Sequence, residues 1–514
     1  MTSGPGQTFM AARWVDELLS PRSDRPLLVY QGKKVSASAM AEEVSAVRAN
    51  LASSGVMADG IVAVACERTP GCVAVILACL AEGVAPFLVD PRQDFDLLCK
   101  LMDALRVQGV FGGSALDSSA VRSRLPYLKW SGETGPANTV RRSTATDATT
   151  EGGFLLHSAG TCALPRVYHH SGAAIGWQAQ SLIQALRLKS GAELWFTGNL
   201  AQSPAFALGL CAVLSAGGML VIDDPAEFLP KVTRKLDSQR ILLLCQASDR
   251  QAWNAEKLLG VKAKISAVMV TDFDLSEEYA QMLANATDAA VWCGYSATEA
   301  AGFLTVNSVP GVWPAESVGR PIGGAELLVH DLEDQRASAD RLGRILYNGA
   351  PSPVRVVSLT FQAKGEPVRT VQATGDWGRI DANDFIYLAG CDRSVFSRGG
   401  FLVEAKAVED GLRGLDGIAE AFVYGVPTDE VEHEVNAAIL PRAGSIDLNQ
   451  VAAHLTDKLP RFMHPERAAT VPALPYTPTG KLKRIPGTSA PKNTPKNAEP
   501  EGRNPAAEQQ AAAE

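Results

Sequence analysis

Residues 61–112 alternate between short β-branched runs and longer apolar segments, and this rhythm constrains the fold more than any other feature. IVAVAC, APFLVD and VQGVFG are typical of buried strands, whereas PGCVAVILACLAEG and DFDLLCKLMDAL have helical length and spacing. Strands that alternate with helices form βαβ units, whose strands lie parallel in one sheet. The rhythm returns within residues 193–223, 240–245 and 266–270. We therefore predict an α/β fold of mostly parallel sheets with helices.

The pattern changes after Gly319. AELLVHD, GRILYNG, VRVVSLTF and DFIYLAG are short, strand-like and separated by turns, which predicts an antiparallel β region. Within residues 401–483, VEAKAVEDGL and LNQVAAHLTDKL predict helices, and EAFVYGV and EVNAAILP predict strands, so this stretch indicates a compact α+β domain. Beyond about residue 486 the chain is rich in Pro, Ala, Lys, Asn and Glu, and we expect it to be disordered.

Composition argues against several classes of protein. The 514 residues allow about three domain-sized units at roughly 150 residues each. The net charge of -8 and the aromatic content of 6% disfavour a nucleic acid as partner. No apolar run approaches the ~20 residues of a membrane span, and the N-terminus lacks the positive region of a secretory signal. We therefore expect no membrane partner. Nine cysteines without a C-x-x-C pair suit reduced thiols, so we expect a cytoplasmic protein.

Four short stretches carry side chains suited to nucleotide chemistry. In LLHSAGTCALPRV (155–167), small hydroxyl residues and Arg166 suit phosphate oxygens. In GYSATE (294–299), Tyr295 offers a flat face to a base, Thr298 a hydroxyl to phosphate and Glu299 a hard oxygen ligand to Mg2+.

The other two stretches suit a ribose and an oxyanion. Asp376 in TGDWG (374–378) could accept both ribose hydroxyls, and Lys481 in PTGK (478–481) could deliver a point charge. Taken singly, each of the four is more typical of an ordinary turn, a capped helix or a solvated lysine. Only their joint order distinguishes them from such common features.

In that order the stretches resemble the adenylate-forming superfamily of acyl- and aryl-CoA synthetases, peptide-synthetase adenylation domains and luciferases. SAGTCALPR is similar to S-S-G-T-T-G-L-P-K, GYSATE to G-Y-G-x-T-E, and TGDWGRIDANDFIYLAG to T-G-D-x-G-x-x-D-x-D-G-Y-L-Y-x-x-G. SRGGFLVEAKAVED and the closing LPYTPTGK are similar to S-G-G-x-x-V-x-P-x-E-V-E and T-P-x-G-K. The resemblance runs from about residue 61 to residue 484.

The resemblance implies a large N-terminal adenylation domain of sheets, helices and a β-barrel part, and a small mobile α+β C-terminal domain. We place these at 1–390 and 391–486, with a disordered tail at 487–514 and a hinge near 390–394. It also implies that the active site lies in the cleft between the domains.

The resemblance further implies two half-reactions. A carboxylate attacks the α-phosphate of ATP, which gives acyl-AMP and pyrophosphate, and an acceptor then takes the acyl group. ATP and Mg2+ would be required, and coenzyme A is the expected co-substrate. By residue, Tyr295 would stack near adenine, Asp376 would hold the ribose, Thr298 would contact the α-phosphate and Glu299 would bind Mg2+. The residues around the outer phosphates would be Ser158, Gly160, Thr161 and Arg166, and Lys481 would bridge the carboxylate and the α-phosphate.

Several residues depart from the family pattern. The phosphate loop has Ala159, Cys162 and Ala163 where Ser, Thr and Gly are usual, and Arg166 replaces a Lys of different geometry. Thr271-Asp272-Phe273 replaces a G-G-A segment, and WFTGNLAQSPAF replaces an aromatic-His gate segment. Cys391 stands where the family has an Arg and Ser394 where it often has the hinge Asp, so we expect Arg393 to substitute in nucleotide binding.

The sequence leaves the acid and the acceptor open. We expect the substrate pocket to be formed by Trp195, Phe196, Phe206, Phe273, Ala300 and Phe303. These small or aromatic residues favour a lipophilic or aryl monocarboxylic acid. Gly399 and Gly400 leave room for a pantetheine tunnel, which favours the thiol of coenzyme A, while a carrier protein or an amine (amide synthesis) remains an alternative. A further alternative is an adenylate-binding protein with little turnover.

Overall fold

The computed structural model describes residues 10–20, 24–112, 127–128, 153–160, 164–196, 198–222, 241–245, 265–271, 277–307, 314, 316–359, 371–428, 430–442, 446, 449–456, 458–477 and 482–484. By their contacts, these residues form two compact units that separate between Leu388 and Ala389. Tyr476 and Thr477 belong to the first unit, although residues of the second unit both precede and follow them in sequence. The predicted tail, 487–514, lies outside the described residues.

The first unit contains a sheet of nine strands. In spatial order they are Arg320–Pro321, Gly302–Asn307, Ala290–Ala297, Ile265–Val270, Ile241–Cys245, Glu193–Phe196, Met219–Val221, Pro26–Tyr30 and Lys33–Ser36. The six strands from Ala290–Ala297 to Pro26–Tyr30 pair in parallel, and antiparallel pairing occurs only towards the two edges. The predicted α/β class with mostly parallel sheets is therefore confirmed.

A second sheet of the first unit has seven strands. Their spatial order is Arg355–Ser358, Arg166–Ser171, Gly153–His157, Ala85–Val89, Ile61–Ala65, Gly109–Phe111 and Tyr127–Leu128. The expectation for VRVVSLTF was wrong in its placement, because Arg355–Ser358 pairs antiparallel with Arg166–Ser171 and is an edge strand of this sheet. Strand-like residues in a turn-rich stretch do not specify which sheet they join.

Helices cover and separate these sheets. The described helices of the first unit are Ala11–Leu18, Ala37–Ser54, Pro70–Ala81, Phe95–Leu105, Ala173–Leu186, Ser203–Ala205 and Glu277–Thr287, with a π-helix at Phe206–Val213. Helix Pro70–Ala81 begins where the Thr69 hydroxyl accepts from Cys72 N, and its residues 72–80 are all buried. They share one core with residues of both sheets, as expected for a helix that is apolar all round.

The predicted antiparallel β region is a four-stranded sheet. Its strands, in spatial order, are Glu326–His330, Gly343–Asn348, Gln372–Ile380 and Ile386–Cys391. Tyr347 and Ile345 are fully buried in a small core that also contains Tyr295 and Ala300. The sheet thus supports the end of strand Ala290–Ala297.

The second unit is an α+β domain. A hairpin, Val395–Arg398 and Phe401–Glu404, precedes helix Ala405–Arg413, and a three-stranded sheet consists of Ile418–Thr428, Glu432–Pro441 and Arg467–Thr470. Helix Asn449–Thr456 and a 3₁₀ turn at Arg461–Met463 complete the described elements. Their apolar faces enclose a separate core.

The cysteines depart from expectation at one residue. Free thiols are present at Cys66, Cys72, Cys79, Cys99, Cys211 and Cys293. Cys391 is disulfide-bonded, so the prediction of reduced thiols is wrong there. Among the described residues, no helix combines the length and the apolar character that a membrane span requires.

Candidate active site

The acidic turn, Thr298–Ala300, joins two antiparallel strands of the nine-stranded sheet. Strand Ala290–Ala297 enters it and strand Gly302–Asn307 leaves it. Ala297 pairs with Gly302, so the chain reverses over residues 298–301, with a φ of 60° at Ala301 and of 152° at Gly302. The carboxyl end of a parallel strand is a usual place for a ligand in an α/β sheet. The predicted Thr298 and Glu299 lie at such an end.

Glu299 is half-buried, and the surrounding protein desolvates its carboxyl group. Burial raises its pKa to about 7, and the Tyr168 hydroxyl and the positive charge of Arg166 oppose this rise. Burial and the neighbouring Glu299 in turn raise the pKa of Tyr168. Near neutral pH a proton therefore competes for the Glu299 carboxyl, and a cation beside it would favour the ionised form.

Strand Arg166–Ser171 supplies these partners through its two-residue periodicity. Arg166, Tyr168 and His170 alternate along it, and alternate residues of a strand share one face. Arg166 and Tyr168 interact with Glu299, and His170 Nε2 lies 2.8 Å from the carbonyl oxygen of Thr298. Sequence reasoning singled out Arg166 but missed Tyr168 and His170, which the alternation in RVYHH could have indicated.

Tyr295 and Asp376 meet in the first unit. The hydroxyl of Tyr295 donates to Asp376 Oδ2 over 2.5 Å, and burial together with this carboxylate raises the pKa of Tyr295. The backbone N–H of Asp376 donates to Thr374 Oγ1 over 3.2 Å, and this hydroxyl donates to Ile345 O over 3.0 Å. The two residues predicted to hold adenosine are thus in direct contact, and their ligand roles stay predictions.

The phosphate-loop candidates are described in part. The backbone N–H of Ser158 donates to Arg166 O over 2.9 Å, and the N–H of Arg166 donates to Ser158 Oγ over 3.0 Å. These two bonds close the base of the loop. Gly160 has a φ of 70°, a conformation that glycine adopts readily. Thr161 lies outside the described residues.

The predicted pocket residues do not form one group. Phe196, Phe206 and Phe303 are buried in one core, where Phe206 lies 4.4 Å from Phe154 between ring centroids. Ala300 is buried in the core beside the four-stranded sheet. Trp195 adjoins Phe196 on one strand and packs into the core on the opposite face of the sheet. Phe273 lies outside the described residues, and the contacts of all six with a substrate stay predictions.

In the second unit, Gly399–Gly400 form an exposed turn, which we call the glycine turn. Their φ values are 56° and 80°, both positive as in a type I′ hairpin turn, and a Cβ at either would meet nothing within 4 Å. Glu432 Oε2 accepts from the Gly400 N–H over 3.2 Å and from Ser397 Oγ over 2.7 Å. These hydrogen bonds, led by that of Ser397, lower the pKa of the exposed Glu432.

The remaining predicted residues are Arg393 and Ser394 at the predicted hinge and Lys481 in the closing PTGK stretch. Arg393 lies exposed in the turn of residues 391–394 of the second unit. Ser394 closes this turn, because its buried hydroxyl accepts from Cys391 N over 2.6 Å and donates to Cys391 O over 2.8 Å. Lys481 lies outside the described residues, so its role stays a prediction.

The described residues contain no cluster of three or more His, Cys, Asp or Glu side chains that could hold a metal ion by themselves. Mg2+ commonly takes one or two carboxylates and completes its shell with water and substrate phosphates. A single desolvated carboxyl group with a pKa raised to about 7 fits that mode of binding. A bound cation would offset the cost of the negative charge. Glu299 is therefore a suitable protein ligand.

Family models match both units. One described as "AMP-binding enzyme" matches residues 16–352, and one described as "AMP-binding enzyme C-terminal domain" matches residues 407–481. A curated relative, "Probable CoA ligase CCL9" of Humulus lupulus, is 30% identical over 200 residues, which cover 37% of this chain and 37% of that protein. The chain spans less than half the length of the curated relatives it matches.

Solved structures share the fold over nearly the whole chain. ATP-bound MatB from Rhodopseudomonas palustris superposes with a TM-score of 0.76 at 17% identity, covering 92% of this chain and 98% of that one. The amide bond synthetase McbA from Marinactinospora thermotolerans gives a TM-score of 0.73 at 16% identity, with coverage of 92% and 98%. Likeness at this level of identity shows the architecture.

Proposed function

The chain belongs to the AMP-binding enzyme family, and we propose that it is an ATP-dependent acid ligase that releases pyrophosphate. A carboxylate oxygen attacks the α-phosphorus of ATP, a new P–O bond forms, and the bond to pyrophosphate breaks. In a second step the acceptor attacks the acyl carbon, and AMP leaves with its oxygen. We propose that residues 1–390 form the adenylation domain, which carries out the first step. Residues 391–486 would form the mobile domain.

One observation carries this proposal: motif residues far apart in sequence meet in the first unit. Tyr295 contacts Asp376 directly, and Glu299 lies within interaction range of Asp376 and Arg166. A base-stacking ring, a ribose acceptor, a metal ligand and a phosphate-binding guanidinium are the groups that positioning ATP requires. Four unrelated turns would not be expected to bring these four groups together.

The roles follow from the chemistry of each group. We assign Tyr295 and Asp376 to the adenosine, and Thr298 to the α-phosphate. Ser158, Gly160, Thr161 and Arg166 are assigned to the outer phosphates, with Arg393 as a further nucleotide contact. Arg166 supplies a permanent charge and a fork that grips two oxygens at once. Lys481 is assigned to the attacking carboxylate and the α-phosphate.

Mg2+ would be held by Glu299 together with phosphate oxygens and water. When bound, it supplies positive charge that offsets the charge of the phosphates. The protein contributes by keeping the desolvated carboxyl group of Glu299 beside Tyr168 and Arg166, where a bound cation would favour its ionised form. The hydrogen bond of Tyr168 favours the ionised carboxylate in the same way.

We propose the thiol of coenzyme A as acceptor and a lipophilic or aryl monocarboxylic acid as substrate. The glycine turn supports this acceptor because it presents backbone without side chains at an exposed position. An amine is the second candidate, since a structural neighbour carries the name amide bond synthetase. A free carrier protein is the third.

Acid-dependent ATP–pyrophosphate exchange with a panel of carboxylic acids tests the first step. We expect exchange with at least one apolar acid, and addition of coenzyme A should then convert that acid to its thioester. If amide forms with an amine while coenzyme A gives no product, the acceptor assignment is overturned. ATP binding without exchange for any acid would instead indicate an adenylate-binding protein.

A further inference from the structure

Three successive carbonyl groups of the acidic turn each accept a hydrogen bond from a different side chain. His170 Nε2 lies 2.8 Å from Thr298 O. Tyr347 Oη lies 2.7 Å from Glu299 O, and Gln178 Nε2 lies 3.0 Å from Ala300 O. The three donors come from strand Arg166–Ser171, strand Gly343–Asn348 and helix Ala173–Leu186.

All three donors are confined by burial, and the Tyr347 hydroxyl has one further acceptor in reach, Pro351 O at 3.3 Å. His170, Tyr347 and Gln178 are fully buried. Burial lowers the pKa of His170 to about 3, so the imidazole is neutral and its single N–H is the one that faces Thr298 O. The neutral form leaves no choice of donor atom, since a carbonyl oxygen only accepts.

Gln178 also ties the far side of the reversal. Its Oε1 accepts from the Phe303 N–H over 3.1 Å, and its Nε2 also donates to Phe303 O over 3.2 Å. Between these anchors lie Ala301 and Gly302, both with positive φ. A non-glycine residue in the left-handed region costs about 1 kcal/mol or more, so the reversal needs support from its surroundings.

We propose that His170, Tyr347 and Gln178 are positioning residues, which hold the acidic turn in the one backbone conformation that presents Thr298 and Glu299 to the nucleotide. This inference rests on the proposed function, because it assigns the turn a ligand to face. Two adjacent side chains of a turn move together when its carbonyls change direction. Fixing three successive carbonyls therefore fixes both side chains before ATP arrives.

A purely structural role would make a different prediction. If the three donors only satisfy buried carbonyls, losing one should lower stability and leave the properties of the folded enzyme unchanged. If they position the turn, the folded enzyme should also turn over more slowly and need more Mg2+, while the KM for the acid changes little.

Tyr347→Phe is the main test, because it removes one hydroxyl and keeps the ring. The matched control is Tyr387→Phe, whose hydroxyl lies 3.3 Å from Asp381 Oδ2 and whose ring packs against Arg379. Hydrogen exchange of peptides covering residues 295–303 would be measured in both, since the Ala301 N–H donates to Thr298 O and the Phe303 N–H donates to Gln178 Oε1. Exchange of ATP with pyrophosphate would be measured on the same samples.

For Tyr347→Phe we expect faster hydrogen exchange in that peptide and a kcat reduced about tenfold. The Mg2+ concentration for half-maximal rate should rise, and Tyr387→Phe should leave all three readouts unchanged. Unchanged hydrogen exchange, or an unchanged kcat and Mg2+ requirement, would overturn the inference. Absence of adenylation in the unmodified protein would overturn the proposed function. Hydrogen exchange needs no activity, so it would still show whether the three side chains hold the acidic turn.

Gln178 provides a second pair of variants. A protonated glutamic acid offers one donor and one acceptor, whereas methionine of similar length offers no donor and only a weak sulfur acceptor. We expect Gln178→Glu to keep more of the kcat than Gln178→Met and to protect the peptide better. Equal loss in the two variants would count against positioning, and if Gln178→Met does not fold, Tyr347→Phe and Gln178→Glu decide the matter.

Discussion

The acidic turn of the first unit and the glycine turn of the second unit each contain a tight reversal beside a carboxylate, but they are held in opposite ways. In the acidic turn, Ala300 is fully buried, and so are the three side chains that donate to the carbonyl groups of the turn. The carboxyl group of Glu299 is desolvated beside them. The glycine turn is exposed, and Glu432, the carboxylate beside it, is exposed too. One carboxyl has a pKa raised by burial, and the other a pKa lowered by hydrogen bonds.

The difference indicates which of the two sites depends on fixed geometry. A buried, multiply anchored turn resists rearrangement, which suits stabilisation of charge that develops at one place. A turn held from outside by a solvated carboxylate can rearrange at low cost, which suits an acceptor that arrives later. We therefore expect substitutions at the acidic turn to affect adenylation strongly, and those at the glycine turn to affect it little.

The largest expected effect comes from Glu299→Gln. Loss of the charge should lower the kcat of pyrophosphate exchange between about 100-fold and 1,000-fold, as for other groups that stabilise charge in an active site. Since burial disfavours the ionised carboxyl, the folded variant should be as stable as the parent at pH 8. Steady-state exchange and thermal melting measure the two properties.

Glu432→Gln is the matched change at the glycine turn. Its carboxylate is exposed, so exchange should stay within about twofold of the parent. A comparable fall of exchange in both variants would break the comparison between the turns.

Glycine-to-alanine substitutions test how tightly each turn is packed. A Cβ at Gly302 would lie 2.4 Å from Ala207 Cβ and would also meet Gln178, so Gly302→Ala should cost about 3 kcal/mol of unfolding free energy. At Gly400 the added methyl group meets nothing within 4 Å, and only the positive φ of 80° is unfavourable, which costs about 1 kcal/mol. Urea unfolding of both variants gives the two values, and equal losses would contradict the prediction.

Arg166 sharpens the comparison on the side of the phosphates. Arg166→Ala should raise the KM for ATP about thirtyfold, because a hydrogen-bonded charge is lost, and should change the KM for the acid less. Arg166→Lys should keep much of the activity, since it retains the charge and loses only the fork. If Arg166→Ala uses ATP like the parent, the residue serves the Ser158–Arg166 backbone pairing and not the nucleotide.

Much of the fold could be predicted because its strands and helices have local signals. The strand and helix runs of residues 61–112 are confirmed almost residue for residue, since β-branched runs and apolar helical periods identify buried elements on their own. The order of the motifs predicted that Tyr295 and Asp376 serve the same adenosine, and the structure adds that the two side chains are in contact. Their roles as ligands of adenosine are still predictions.

The supports of the acidic turn could not be predicted in the same way. Tyr347 is separated from Glu299 by 48 residues, and His170 from Thr298 by 128. A buried tyrosine or histidine in a strand is typical of core packing, and only the packing of separate sheets shows which carbonyl it meets. The π-helix at Phe206–Val213 could not be predicted either. Its apolar sequence predicts a helix but does not specify the spacing of the hydrogen bonds.

The two carboxylates should also differ in their response to pH. The pKa of Glu299 is raised to about 7 from an ordinary value of about 4.3, so at limiting Mg2+ the exchange rate should rise about tenfold between pH 6 and pH 8 as the carboxyl ionises. Saturating Mg2+ should flatten this rise, because the cation favours the ionised form. The pKa of Glu432 is lowered, so it stays ionised over this range and should add no pH dependence.

The same shift fixes the sign for stability. Between the ordinary pKa and about 7 the folded protein binds more protons at Glu299 than the unfolded chain, so the contribution of this group to unfolding free energy falls as pH rises and levels off above pH 7. The parent should therefore lose more stability between pH 5 and pH 8 than Glu299→Gln does. A flat rate profile at limiting Mg2+, or equal pH dependence of stability in the two proteins, would show that the Glu299 carboxyl is ionised as readily as the exposed Glu432.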